Sequence, residues 1–172
     1  MNLRRKKLSV TEAVRIVFHP YEREQYIPSE VLHENRVIHA LLGCVNTEEV
    51  ELNVEGWTIT GIPDYFDDER VIEVKVQRPL TKKDEQLHEA AYQAAIYTKA
   101  LSRGIRRCEV WLYVYNTQET QIYPFTTDEI DLDAFFQTLL ANLELLTSMK
   151  KLSQPLKLSA ENKLALKMVK KE

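Results

Sequence analysis

Hydrophobic positions change period along the chain, and each change marks an element. Residues 9–18 place Val10, Val14 and Val17 at helical spacing. Ser9 with Glu12 three residues later makes a capping-box start, and Pro20 stops the helix. A second helix is predicted over 29–42, with Ser29 as its cap and Val31, Ile38, Leu41 and Leu42 as its apolar face. From Val50 the period falls to two. Val50, Leu52 and Val54 alternate with polar residues, Glu55-Gly56 turns the chain, and Trp57 and Ile59 resume the alternation, which predicts a hairpin. Gly61 to Phe66 is a third short extended piece, Asp67 to Arg70 a polar turn, and Val71 to Gln77 a strand ended by Pro79. Residues 82–103 read as a long helix with Gly104 as its C-cap. Cys108 to Tyr115 is a strand, and Gln121 to Phe125 pairs with it. Thr126-Thr127-Asp128-Glu129 caps a last helix with the stripe Leu132, Phe135, Phe136, Leu139, Leu143 and Leu146. No internal repeat is present. This order predicts an α/β domain over residues 1–148 with a mixed sheet, followed by a Lys-rich tail over 149–172.

Composition adds bounds. The 172 residues fit one domain, and 44% hydrophobic with 28% charged residues exclude disorder throughout. Cys44 and Cys108 stand in apolar settings without metal-finger spacing and are expected as buried free thiols. No run of 18 apolar residues exists and the basic N-terminus lacks a signal-peptide core, so the expectation is a soluble, cytoplasmic protein with no membrane partner. The net charge of −3 is a sum over unlike segments. Arg4, Arg5, Lys6 and Lys7 make one end basic, and seven Lys, among them Lys150 and Lys151, against two Glu make the other so. The body between is acidic. Basic ends suit nucleic acid or another anionic surface; solvated termini are the plainer alternative.

The strand Val71–Gln77 carries the candidate chemistry. Ile72, Val74 and Val76 form one apolar face, while Glu73, Lys75 and Gln77 lie on the other. By itself this describes a surface strand with a ladder of opposite charges. Glu161-Asn162-Lys163 repeats the pattern in the tail, where residues two apart do not share a helix face. Asp64 changes the reading. It lies nine residues before Glu73 across the Asp67–Arg70 turn, so a hairpin brings the two carboxylates together. Close carboxylates repel and need a shared partner, and a hard divalent cation is the natural one. Lys75 on the same face can contact phosphate.

Gly61-Ile62-Pro63-Asp64, then Glu73-Val74-Lys75, resembles the signature of the PD-(D/E)xK nuclease superfamily. Gln93-Ala94-Ala95-Ile96-Tyr97 on the following helix and Asn35 to Leu42 around His39, 25 residues before Asp64, resemble its RecB-like exonuclease branch. That branch includes CRISPR-associated and virus-encoded exonucleases. The resemblance spans about residues 10–125. It implies a restriction-endonuclease-like core, in which a central mixed β-sheet is flanked by helices. It implies Mg2+ or Mn2+ held by His39, Asp64, Glu73 and the Val74 carbonyl, with Lys75 in catalysis and Gln93 and Tyr97 positioning the site and the DNA strand. Many members of the branch carry an iron–sulfur cluster on one N-terminal and three C-terminal cysteines. This chain has no Cys after Cys108, so no cluster is expected and a part in CRISPR spacer acquisition is in doubt.

Each residue also has a plainer reading. His39 suits a packing or surface histidine, Tyr97 a core tyrosine, and His19 before Pro20 a turn; His33 and His88 have no motif around them. Trp111, Tyr113 and Tyr115 cover the sheet or, as aromatic platforms do, stack on bases. The function expected is a metal-dependent DNA nuclease for single-stranded ends or branched DNA, in repair, recombination, viral replication or a CRISPR setting. The alternative is a catalytically inactive nucleic-acid-binding or assembly subunit on the same fold. A ring, a dimer and a monomer all accord with the sequence. If the basic ends contact phosphate, deleting residues 149–172 weakens DNA affinity and flattens its salt dependence in filter-binding titrations. Unchanged affinity and slope would leave the ends as solvated tails.

Overall fold

The computed structural model describes residues 1–22 and 26–153. It opens with a short strand, β1 (Lys7–Ser9), followed by helices α1 (Val10–Phe18) and α2 (Ser29–Leu41). Strands β2 (Val50–Val54), β3 (Trp57–Gly61), β4 (Tyr65–Phe66) and β5 (Arg70–Gln77) precede the central helix α3 (Lys83–Leu101). Strands β6 (Arg107–Val114) and β7 (Glu119–Thr126), a 3-10 turn over Thr127–Glu129 and α4 (Leu132–Ser153) complete it. Helix α4 passes the expected tail boundary without a break, and the rest of the Lys-rich stretch, from 154, lies outside the described residues.

The strands form mixed sheets flanked by helices, as expected, but divide into two ladders. One has the order β1-β3-β2 and the other β4-β5-β6-β7. The β2–β3 hairpin turns at Glu55 (φ 47°) and Gly56 (φ 81°), the two left-handed residues of a type I′ turn, which matches strand twist. Strands β5 and β6 run parallel with α3 as the crossover between them. Strand β1 is a finding the side-chain period did not predict. It pairs in parallel with β3, so Arg4, Arg5 and Lys6 form an exposed turn closed by the Asn2–Lys7 bridge rather than a loose end.

Local signals held unevenly. Ser9 and Glu12 form the reciprocal capping box at α1. Ser29 does not cap α2; it is the first helical residue, after Pro28. Ile38 is the one buried residue of α2, and Leu41, expected on the apolar face, is 77% exposed. Helix α3 ends on Ser102 in the left-handed region (φ 51°), with Gly104 (φ 73°) two residues beyond it. The Thr126–Glu129 box caps the 3-10 turn, and Asp131 accepts the Ala134 N–H at 3.0 Å as α4 begins.

Two clusters fill the interior. The larger joins α1, α3 and α4 to one face of the sheets, through Val14, Ile16, Ile59, Ala94, Ile96, Phe135, Leu139 and Leu143. The α4 stripe is buried as predicted at Phe135, Phe136, Leu139 and Leu143. The smaller cluster lies on the other face of β5, where Ile72 and Val74 meet Cys44 and Trp111. Both cysteines are buried and free, as expected. No helix among the described residues is long and apolar enough to cross a membrane.

Gly61 sits against Tyr97 of α3 and Val10 of α1. A Cβ there would stand 2.7 Å from the Tyr97 hydroxyl and 3.0 Å from Val10 Cγ2. Gly61→Ala is therefore expected to cost about 1–3 kcal/mol in urea denaturation, because overpacking forces neighbours off their rotamers. An unchanged midpoint would show that Tyr97 shifts freely.

Candidate active site

Strand β5 has one polar row, and the fold turns it inward. Val71 and Glu73 share a face, and that face packs under α3. The plainer expectation of a surface strand is thereby corrected, because Glu73 is only 6% exposed. One of its oxygens, Oε1, lies 3.4 Å from Lys75 Nζ; the other, Oε2, is buried without a hydrogen-bond partner among the described residues. Loss of water pushes the Glu73 carboxyl up to about 8, the charge of Asp64 adds to the shift, and Lys75 and His39 oppose it.

Asp64 reaches the site through the predicted hairpin. Strand β4 pairs antiparallel with β5 at Tyr65↔Ile72 and Phe66↔Val71, and extending that register by one residue sets Asp64 opposite Glu73. The Asp64 side chain takes over where the ladder stops. Its Oδ2 accepts the Val74 N–H at 2.7 Å, and its Oδ1 lies 3.3 Å from His39 Nε2. Asn46 holds the preceding residue by donating to the Pro63 carbonyl at 3.0 Å.

His39 comes from α2. Its Nδ1 lies 2.5 Å from the Asn35 carbonyl one helical turn back, which makes Nδ1 the donor and directs Nε2 at Asp64. The Asp64 hydrogen bond raises the His39 pKa, against the opposing effect of burial. Asn35 is itself tied down. Arg78, just past β5, donates to Asn35 Oδ1 at 3.0 Å, pairs with Glu34 at 3.1 Å and lies over the Tyr115 ring at 4.4 Å. This chain from Tyr115 to His39 holds α2 against the end of β5, and sequence spacing carried no sign of it.

Gln93 and Tyr97 share the inner face of α3, and both are buried. Gln93 Oε1 has no partner among the described residues. The Tyr97 hydroxyl abuts Gly61, and burial with the Glu73 and Asp64 charges raises its pKa well above the ordinary tyrosine range. Gln86, two turns earlier, donates to the Val76 carbonyl at 3.1 Å and leaves Oε1 buried and unpartnered. Three orphaned polar atoms thus stand on β5 and the facing side of α3. Cys44, near Asp64, is a bystander; burial pushes its thiol up to about 11. Trp111 packs into the smaller cluster and donates to Glu109, so it covers the sheet. Lys150 is exposed on α4, and Lys151 follows in the same helix.

The structure therefore gathers His39, Asp64, Glu73, Lys75, Gln93 and Tyr97 around β5 and leaves Arg4, Arg5 and Lys6 on the N-terminal turn. The ligand atoms of His39, Asp64 and Glu73 do not all close to within 4.8 Å of one another. Two carboxylates and an imidazole form a donor set suited to a hard or borderline divalent cation.

No family model matches the sequence, and no curated protein matches it significantly. Solved structures do resemble the fold. The crystal structure of SSO0001 aligns with a TM-score of 0.56 and 21% identity, over 90% of this chain and 88% of that one. An alkaline exonuclease, LHK-Exo from Laribacter hongkongensis, aligns with a TM-score of 0.51 and 16% identity, over 88% of this chain and 94% of that one. The chain shares its fold with these proteins, and the α/β architecture expected from the sequence is the one found.

A buried acid with a raised pKa favours the folded state when protonated. The contribution of Glu73 to the stability of the metal-free protein is thus fully present below the ordinary glutamate range and is lost as pH rises from there through the Glu73 titration. Glu73→Gln should match wild type near pH 5 and exceed it by about 1–3 kcal/mol near pH 8.5, in urea denaturation with a chelator present. Equal stability at both pH values would show that the buried charge carries no cost.

Proposed function

We propose that this chain is a divalent-metal-dependent DNA nuclease that hydrolyses phosphodiester bonds. The observation that carries the reading is the pairing of Asp64 with Glu73, whose Oε2 is buried without a partner, beside Lys75. A purely structural strand has no use for a buried, unsatisfied carboxylate near a second one. The exonuclease fold neighbour agrees with the reading.

In this reading His39, Asp64, Glu73 and the Val74 carbonyl hold Mg2+ or Mn2+. The orphaned Glu73 oxygen and the oxygen-rich donor set fit such an ion. When bound, the ion polarises the phosphate and makes water more acidic. The chain's own groups do the rest. Asn35 keeps the His39 Nδ1 proton in place, so Nε2 stays available as a ligand. The Val74 N–H fixes the Asp64 carboxylate in one orientation. Lys75, partly solvated above Glu73, places its ammonium where negative charge builds on the phosphate oxygens and steadies it. Gln93 and Tyr97 act from beneath, setting the distance between α3 and β5 under the DNA strand. The substrates expected are single-stranded ends or branched DNA. The turn of Arg4, Arg5 and Lys6, with Lys7, Lys150 and Lys151, offers charge for phosphate contacts along an otherwise acidic body.

The test is cleavage of end-labelled single-stranded, duplex and forked DNA with Mg2+ or Mn2+, each end blocked in turn. Wild type should cleave, and a chelator should stop it. Glu73→Ala and Lys75→Ala should each lower the rate by about 100-fold or more with the circular dichroism spectrum unchanged. Cleavage that survives both substitutions overturns the assignment. DNA binding by wild type without cleavage would instead identify an inactive binding subunit.

A further inference from the structure

His19 was expected as a turn residue. It caps α1 and starts that turn, its carbonyl accepting the Glu22 N–H at 3.2 Å, and three ligand-type atoms converge at its ring. Its Nε2 lies 2.6 Å from Glu85 Oε1 and 2.5 Å from Glu89 Oε1. These atoms all lie within 4.8 Å of one another, and no other trio of His, Cys, Asp or Glu among the described residues does so. Glu85 and Glu89 are four apart on α3 and share a face, centred about 70° round the helix from that of Gln86 and Gln93. The cluster and the Asp64 site therefore adjoin on one helix but share no ligand residue.

Two further features make this more than a group of surface acids. The other ring nitrogen, Nδ1, faces Glu22 Oε2 at 3.4 Å. A carboxylate behind one nitrogen fixes the tautomer that turns the other toward a cation, the usual support of a ligating histidine. The scaffold is also rigid. Phe18 meets His88 and Tyr92 edge-on at 5.1 and 5.2 Å, and Tyr92 stacks on Phe135 at 5.1 Å, so the end of α1 is pinned to α3. Meanwhile the two carboxylates compete for the one hydrogen that Nε2 can carry. A divalent ion at that point replaces one proton with two charges and serves both.

We propose that His19, Glu85 and Glu89 form a zinc site, separate from the Asp64 site, that clips α1 to α3. One imidazole and two carboxylates are three protein ligands of the types zinc takes, with a fourth position left for water. Zinc bonds of about 2.0–2.1 Å hold tetrahedral ligands roughly 3.3 Å apart, so the glutamates withdraw by less than about 1 Å. Both are partly exposed and have room to do so.

The experiment uses the full chain carrying Asp64→Asn and Glu73→Gln, which removes competition from the first site. Zn2+ alone is titrated by calorimetry, and thermal unfolding is followed with and without it. About one equivalent should bind and raise the unfolding temperature. Adding His19→Gln or Glu89→Gln should weaken binding about 10–100-fold or more and erase the thermal shift. Circular dichroism of each metal-free variant reports folding, and Glu89→Gln, on an exposed edge of α3, keeps the test open if His19→Gln does not fold. No zinc binding in the double variant, or binding undiminished by the added substitutions, overturns the site and leaves an ion-pair clamp. No cleavage is read, so the outcome stands apart from the nuclease reading.

Discussion

Beneath α3 the carboxylate of Glu73 is held almost out of reach of water with one oxygen unpaired, and its neighbours are arranged around that constraint. Ala90 and Ala94, both fully buried, keep the helix surface low over β5. Lys75 supplies the cation within 4 Å of Glu73. A second carboxylate, Asp64, is kept nearby although like charges repel, because a backbone N–H and an imidazole each take one of its oxygens. A strand selected for stability alone would replace such a group with an apolar residue of similar size. The apolar core that joins α1, α3 and α4 to the sheets offsets the cost.

The helix that brings His39 is attached by other means. Helix α2 buries one side chain, Ile38, so apolar contact contributes little to its position. Polar ties do most of the holding: Arg78 to Asn35 and Glu34, and His39 to Asp64. Elements held by few apolar contacts open locally at lower free energy than the core. The candidate site therefore joins a rigid half, β5 and α3, to a half that opens more readily. Ligands with strong preferences for the closed arrangement have something to act on.

What could be read in the sequence was mostly local. Asp64 and Glu73 are nine residues apart across one turn, so strand alternation and a hairpin were enough to bring them together. The shared face of Gln93 and Tyr97 and the α4 stripe follow from helical spacing, and the structure buries that pair and the stripe residues Phe135, Phe136, Leu139 and Leu143. Misreadings came where tertiary context decides. Glu73 reads as polar and therefore solvent-facing, and only the position of α3 shows otherwise. Leu41 fits an apolar stripe, yet the described residues leave it exposed. Ser102 adopts the left-handed cap that glycine favours, ahead of Gly104. His19 finds its partners on α3, far along the chain, and no short-range pattern links them. The first ladder also lacks a local code, since β1 joins β3 by a parallel pairing that alternation cannot announce.

That last pairing bears on how the chain folds. Lys7 lies beside Thr58, so β1 leaves the ribosome ahead of its partner strand and has none to pair with until the β2–β3 hairpin exists. Closing so long a loop is entropically costly and is repaid only when non-local contacts form, which slows folding. The hairpin, by contrast, closes through a two-residue turn and is ready early. The order of assembly then runs against the order of synthesis. The N-terminal strand docks late, onto an edge that stays open in the meantime, and that edge is where a nascent chain is most exposed to pairing with its neighbours.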